Sequence, residues 1–269
     1  MLASLIVGLC ATVGADAGTP YEVNPAIDLS LTLGLLAVPA IEEAAVKPAL
    51  AGGRSCPLVS GDTYCDKAEL NAIDRTVVGN DSKTWRRVSD IGQTTALALP
   101  VVATLADVWL GESPTAVADA ATDVLVMAEA VATANFVTHV VKMGVRRPRP
   151  VQYVAGRSAG GVENQMSFPS GHTTAAAAGT TAYATTYWLR RPESASRFAV
   201  LAAGVSLTAL TGYGRVGGGK HFYSDVVAGA IVGAVAGFVI PSLHRRAPDV
   251  TVSAVTLEGG AALRLLAVF

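Results

Sequence analysis

Three short runs decide how this chain folds: KMGVRRPRP at residues 142–150, PSGH at 169–172 and GRVGGGKHFYSD at 214–225. Together they hold three spaced cations (Lys142, Arg149, Arg215), two imidazoles (His172, His221), the Asp225 carboxylate, and the Ser170 hydroxyl beside Gly171. A metal ion is the wrong guest for that set, because lysine and arginine repel a cation. A tetrahedral oxyanion is the right one: guanidinium forks match phosphate oxygens in pairs and an ammonium adds a point charge. One imidazole can attack or hold the central atom while the other moves a proton.

Each run also marks a helix end. The first closes a long helix predicted over Thr115–Val141, with Lys142 in the last turn and the proline after Arg149 forcing an extended exit. Arg147 also precedes a proline, so spacing to the lysine selects Arg149, and Arg146 with Arg147 reads as a solvated basic patch. His139, one turn before Lys142, reads as a packing histidine. The second run opens a helix, Thr173–Leu189, where free N–H groups favour an anion and Gly171 lets the backbone come close. In the third, His221 and Asp225 stand four apart, as on one helical face. The carboxylate is then expected to accept the Nδ1–H of His221 and leave Nε2 free.

In order and inner spacing, the three runs resemble the signature of the type 2 phosphatidic acid phosphatase / vanadium-dependent haloperoxidase superfamily. The resemblance implies a phosphohistidine on His221, with His172 protonating the leaving oxygen and then activating water. It implies that Lys142, Arg149, Ser170, Gly171 and Arg215 hold the phosphoryl oxygens, with no cofactor and no metal. The chain departs from the family pattern at Gly214, where a serine or threonine usually precedes the arginine. The expected activity is a metal-independent phosphatase acting on a phosphomonoester or diphosphate of a lipid. Phosphatidic acid, a polyprenyl diphosphate, phosphatidylglycerol phosphate and a lipid A phosphate remain open as substrates. A soluble periplasmic non-specific acid phosphatase is the alternative; a vanadate-dependent haloperoxidase or a non-catalytic binding protein on the same fold are more distant ones.

The rest of the chain fits an all-α bundle of about six helices, membrane-embedded, with a C-terminal β-hairpin. In 269 residues, apolar types make up 51% and charged types 15%, with a net charge of −1, so nothing points to nucleic acid. Mean hydropathy is +0.43, between a soluble protein and a clear multispanning one. Residues 1–17 read as a secretory leader, with an apolar stretch Leu2–Val13 and the small-x-small site Ala15-Asp16-Ala17, although a basic start is missing. An uncleaved first helix is the alternative. Residues 18–90 then form an N-terminal helix and an extracytoplasmic loop. In that loop Cys56 and Cys65 read as a disulfide of an exported chain, stabilising by roughly 2–3 kcal/mol.

Within residues 18–90, Leu29–Ile41 is an apolar run short for a span, interfacial or buried, and a short helix lies near Lys67–Val78. Residues 91–246 form the helical core. Its helices are Gln93–Leu110 with Pro100 as a kink, Thr115–Val141, Thr173–Leu189, Phe198–Thr211 and Asp225–Leu243. Gly229, Gly233 and Gly237 recur every four residues on the last, a spacing that lets helix backbones approach. Asp119, Asp123 and Glu129 suit lipid only if they face the bundle interior; otherwise the bundle is soluble. In the 247–269 tail, Val250–Leu257 and Ala261–Val268 flank Glu258-Gly259-Gly260 as hairpin strands. Arg190, Arg191, Arg197, Arg245 and Arg246 gather at the ends away from the three runs. The positive-inside rule therefore predicts an inner-membrane protein with its site on the periplasmic face.

Overall fold

Helix α4 (Gly171–Arg190) is the axis of the molecule. It packs against α2 (Lys83–Leu110), α3 (Ala116–Val145), α5 (Ser196–Gly217) and α6 (Tyr223–Leu243), while α1 (Pro25–Ile41) lies on α3. The computed structural model describes residues 18–50, 56–61, 63–110, 115–157, 161–246, 249–257 and 260–268. The predicted leader falls outside the described residues.

An Ala/Thr/Gly sequence lets α4 sit at the centre. Its side chains are small, and its threonine hydroxyls return to their own helix: Thr174, Thr180 and Thr186 donate to Ser170 O, Ala176 O and Ala182 O at 2.8–3.0 Å. The predicted glycine stripe seats α6 against it. A Cβ at Gly233 would stand 2.2 Å from Thr174 O, and one at Gly229 2.6 Å from Ser170 O. The opposite face of α6 carries Val227, Ile231, Val235 and Phe238, each more than half exposed. Small residues inside and large apolar ones outside invert the pattern of a water-soluble helix and suit solvation by lipid.

Among the described residues, five segments are long and apolar enough to cross a membrane: 25–49, 83–107, 116–153, 196–217 and 223–243. The first corrects an expectation. The run ending at Ile41 does not stop at Glu42; a π turn (Glu42–Val46) and a further helical turn (Lys47–Leu50) carry it on. Leu29, Leu31, Leu33 and Leu36 are exposed rather than buried. α2 likewise begins at Lys83, ten residues before the expected Gln93, because Trp85 is held by packing edge-on to Tyr213 at 4.8 Å.

Asp123 and Glu129 face the interior, as lipid requires. Asp123 pairs with Arg190 at 2.6 Å and accepts from Thr19 at 2.8 Å, and Arg191 pairs with Asp107 at 3.1 Å. Asp119 is half-buried and accepts from Thr115 at 3.0 Å. Two of the arginines used for sidedness are therefore neutralised within the bundle. Cys56 and Cys65 are disulfide-bonded, with Cα atoms 5.7 Å apart. Between them and α2, the expected short helix is two separate turns, Lys67–Glu69 and Ala72–Arg75. The tail forms the expected antiparallel hairpin, β1 (Asp249–Leu257) with β2 (Gly260–Val268).

Candidate active site

The three runs meet at one end of the bundle. Lys142 ends α3, Gly171 and His172 open α4, Arg215 lies in the last turn of α5, and His221 sits in the turn before α6. Six of the expected residues (Lys142, Arg149, Gly171, His172, Arg215 and His221) line a single cavity of about 200 Å³. Glu42, Lys47, His139, Glu163 and Met166 complete its wall. The backbone at Gly171 comes close enough that a Cβ there would lie 3.6 Å from Lys142 Nζ. The turn carrying His221 needs Gly219, at φ +65 and pressed on Asn80 O, where any side chain would collide.

The cavity is electrostatically unfinished. Arg149 donates to Glu163 at 3.1 Å and Arg215 to Asp90 at 3.3 Å, but Nε of each arginine is buried without a partner among the described residues. Buried donors left open beside further cations are what an anion would satisfy. His172 Nε2 also lies 3.1 Å from Asp90 Oδ1, so one carboxylate serves both the imidazole and Arg215. Lys47 and Arg149 hold Glu163 below the usual carboxylate range, outweighing the opposing effect of its partial burial.

Several expectations about individual residues are corrected. Asp225 does not accept from His221 Nδ1. That nitrogen donates to the Ser167 carbonyl at 2.7 Å, and Asp225 Oδ2 stands 3.6 Å away, a charged neighbour beyond hydrogen-bond range. The reason is local: His221 precedes α6, while Asp225 lies in its first turn and turns back to accept from Phe222 N–H at 2.8 Å. Ser167 Oγ donates to the same carboxylate at 2.6 Å and Arg147 Nη1 to its other oxygen, also at 2.6 Å.

Arg147 is accordingly no solvated patch. It bridges Asp225 to Asp74 at 2.9 Å and stacks on the Phe222 ring at 4.3 Å. Arg147 and Ser224 together hold Asp74 low, against the upward push of burial. Ser170 is fully buried behind the cavity wall, its hydroxyl bonded to Thr173 at 3.0 Å. His139 is not a packing residue: three positions from Lys142, it shares that face and hydrogen-bonds Glu42 at the cavity.

Burial drives the pKa of His221 down to about 3; Asp225 opposes this, and Arg149, Lys142 and Arg215 add to it. The imidazole is thus unprotonated at neutral pH. With Nδ1–H committed to the Ser167 carbonyl, the ring's lone pair is on Nε2.

Residues 123–249 match the family model of the PAP2 superfamily. No curated protein matches the chain. A similar solved structure is the crystal structure of the first transmembrane PAP2 type phosphatidylglycerolphosphate phosphatase from Bacillus subtilis. It shares 22% identity over 80% of this chain and 94% of that one, with a TM-score of 0.47. The matched stretch contains Lys142, Arg149, His172, Arg215 and His221, all of which line the cationic cavity. Glu42 and Lys47 of the cavity wall, and Asp90 beside Arg215 and His172, come from residues before the matched stretch.

Gly214, where the superfamily usually has a hydroxyl residue, has a structural cause. A Cβ there would lie 2.8 Å from Trp85 O and 2.9 Å from Ser89 Cβ, so the close crossing of α2 over α5 leaves no room.

Proposed function

We propose that this protein hydrolyses a phosphomonoester or diphosphate of a lipid through a phosphohistidine on His221, without a metal ion, on the outer face of the inner membrane. The observation that carries the reading is the cavity: four cations and three imidazoles against two carboxylates, with two buried, unpartnered guanidinium nitrogens, at the end of a bundle with an apolar exterior. Lys142, Arg149 and Arg215 would take the phosphoryl oxygens, with the Gly171 amide beside them. Ser170 would act from behind, by setting the start of α4.

In the first step His221 Nε2 forms a bond to phosphorus as the ester P–O bond breaks, and His172 gives its proton to the departing oxygen. In the second, His172 takes a proton from water as that water's oxygen replaces Nε2 on phosphorus. Inorganic phosphate leaves and His221 is restored. Three cations supply the charge neutralisation that a metal ion provides in other phosphoryl-transfer sites, and their repulsion disfavours a metal there. The disulfide loop packs beside Val216 and Phe222 at the cavity end, which supports an oxidising, extracytoplasmic setting for that end.

The test uses purified protein with a lipid phosphate and a soluble chromogenic ester, in the presence of a chelator. Turnover should persist, and orthovanadate should inhibit as a transition-state mimic. His221→Ala should lose turnover and covalent phosphate together, whereas His172→Ala should retain phosphoenzyme when the leaving group is good. Labelled phosphate on the His221→Ala protein would overturn the assignment. So would loss of turnover in chelator while the protein stays folded.

A further inference from the structure

A second cluster of ionisable groups lies at the end of the bundle away from the cavity. There α1 begins and α6 ends, its 21 residues spanning about 31 Å from the His221 turn. Asp28 of α1, Glu129 of α3 and His244, just after α6, bring three ligating atoms within 4.8 Å of one another. His244 Nε2 stands 3.7 Å from Asp28 Oδ1 and 3.5 Å from Glu129 Oε2.

Two of the three donors are fixed from behind. His244 Nδ1–H donates to Ile240 O at 3.0 Å, which turns Nε2 toward the two carboxylates. Asn24 N–H donates to Asp28 Oδ2 at 2.7 Å, leaving Oδ1 to face the cluster. Glu129 is 4% exposed, and its Oε2 has no hydrogen-bond partner among the described residues. The main chain of His244 is pinned as well, by Glu22 N–H on its carbonyl at 2.9 Å.

Buried acceptors that converge in this way repel one another until a cation lies between them. A proton on Nε2 is one candidate, but a charge-assisted N–H···O bond draws its partners to about 2.7–2.9 Å. Neither carboxylate is that close. The two separations from His244 Nε2 instead approach the edge, roughly 3.4 Å, of a tetrahedron whose corners lie about 2.1 Å from a central ion.

We propose that Asp28, Glu129 and His244 form a structural site for a first-row divalent cation of the zinc class, with water in the fourth position. One imidazole and two carboxylates suit such an ion, and buttressing bonds hold His244 and Asp28 in place. The ion would clamp the N-terminal helix to α3 and α6. It takes no part in hydrolysis, so the assignment stands or falls apart from the phosphatase reading.

The test is titration of untagged full-length protein in detergent, stripped with chelator and then given zinc. Metal content is measured by mass spectrometry after desalting, and the melting midpoint is followed in parallel. One zinc per chain and a raised midpoint are expected. Cobalt in place of zinc should give the visible absorption of a four-coordinate ion. Glu129→Gln should weaken binding about tenfold or more, with Asp28→Asn as the second variant should the first not fold. Substoichiometric metal, or metal held equally by parent and both variants, overturns the site. A midpoint that ignores zinc overturns it as well.

Discussion

At the cavity end, Lys142, Arg149 and Arg215 share one space, and the carboxylates beside the two arginines, Glu163 and Asp90, are more than half exposed. At the other end, Arg190 and Arg191 each lie against a carboxylate of their own, and Asp123, the partner of Arg190, is 1% exposed. Both ends bury arginine. Guanidinium nitrogens without a hydrogen bond among the described residues occur at both, Arg190 Nε included. The difference therefore lies in the charges: one end crowds like charges, which costs stability, and the other sets each arginine against a carboxylate. Crowding that a bound dianion would relieve marks a site, whereas one-to-one pairing marks architecture.

Exchanging a residue at each end should separate the two roles. Arg215→Gln removes one of the cavity cations, and turnover should fall by about 10²–10³-fold, as for loss of a single oxyanion donor. Its melting midpoint should hold or rise, because repulsion is relieved. Asp123→Asn should do the reverse. It leaves Arg190 buried without its counter-charge, at a cost of about 3–5 kcal/mol, while turnover per folded molecule stays the same. Activity and melting measured on the same preparations check both, and parallel losses in the two variants would erase the distinction.

The part of the site that could be read in the sequence is the part encoded by spacing. Lys142, Arg149, His172, Arg215 and His221 recur at intervals that place them at helix ends facing one space, and the Gly229–Gly233–Gly237 stripe fixes the helix that backs it. What escaped were pairings between single residues far apart in the chain. Arg147 with Asp74, Ser167 with Asp225, and Glu42 with His139 leave no periodic trace. The polar first turn of α2 reads as loop because its stability comes from Trp85 packing on α5, not from its own propensity. Asp225 lies near His221 without bonding it, since its position in α6 directs the carboxylate to the helix start, a geometry that the four-residue spacing does not show.

A smaller effect is expected where the superfamily pattern is broken. Gly214→Ser restores the common hydroxyl but forces a side chain against Trp85 O and Ser89. Overpacking of this kind costs about 1–3 kcal/mol, so the variant should melt earlier than the parent and gain no turnover. A faster, equally stable Gly214→Ser protein would mean that α2 and α5 separate readily, and that Gly214 is not fixed by their crossing.

The gentlest probe of the crowded end is pH. His221 takes up its proton only near pH 3 in the folded protein, because burial, with the nearby cations, disfavours the imidazolium. In the unfolded chain the same group protonates near its ordinary value of about 6.5. Above that value neither state binds the proton and stability does not depend on it. As the pH falls from about 6.5 toward 3, the unfolded state binds a proton that the folded state refuses, so stability declines. Over the middle of that window the loss approaches about 1.4 kcal/mol per pH unit. Carboxylates elsewhere also titrate below about pH 5, so the measurement is the difference between parent and His221→Gln at pH 7, 6 and 5. The difference should be flat near pH 7 and open steadily below 6.5. Saturating phosphate should shrink it, because an anion beside the imidazole favours its charged form. Parallel curves for the two proteins across this range, with or without phosphate, would show that the cavity does not hold His221 neutral.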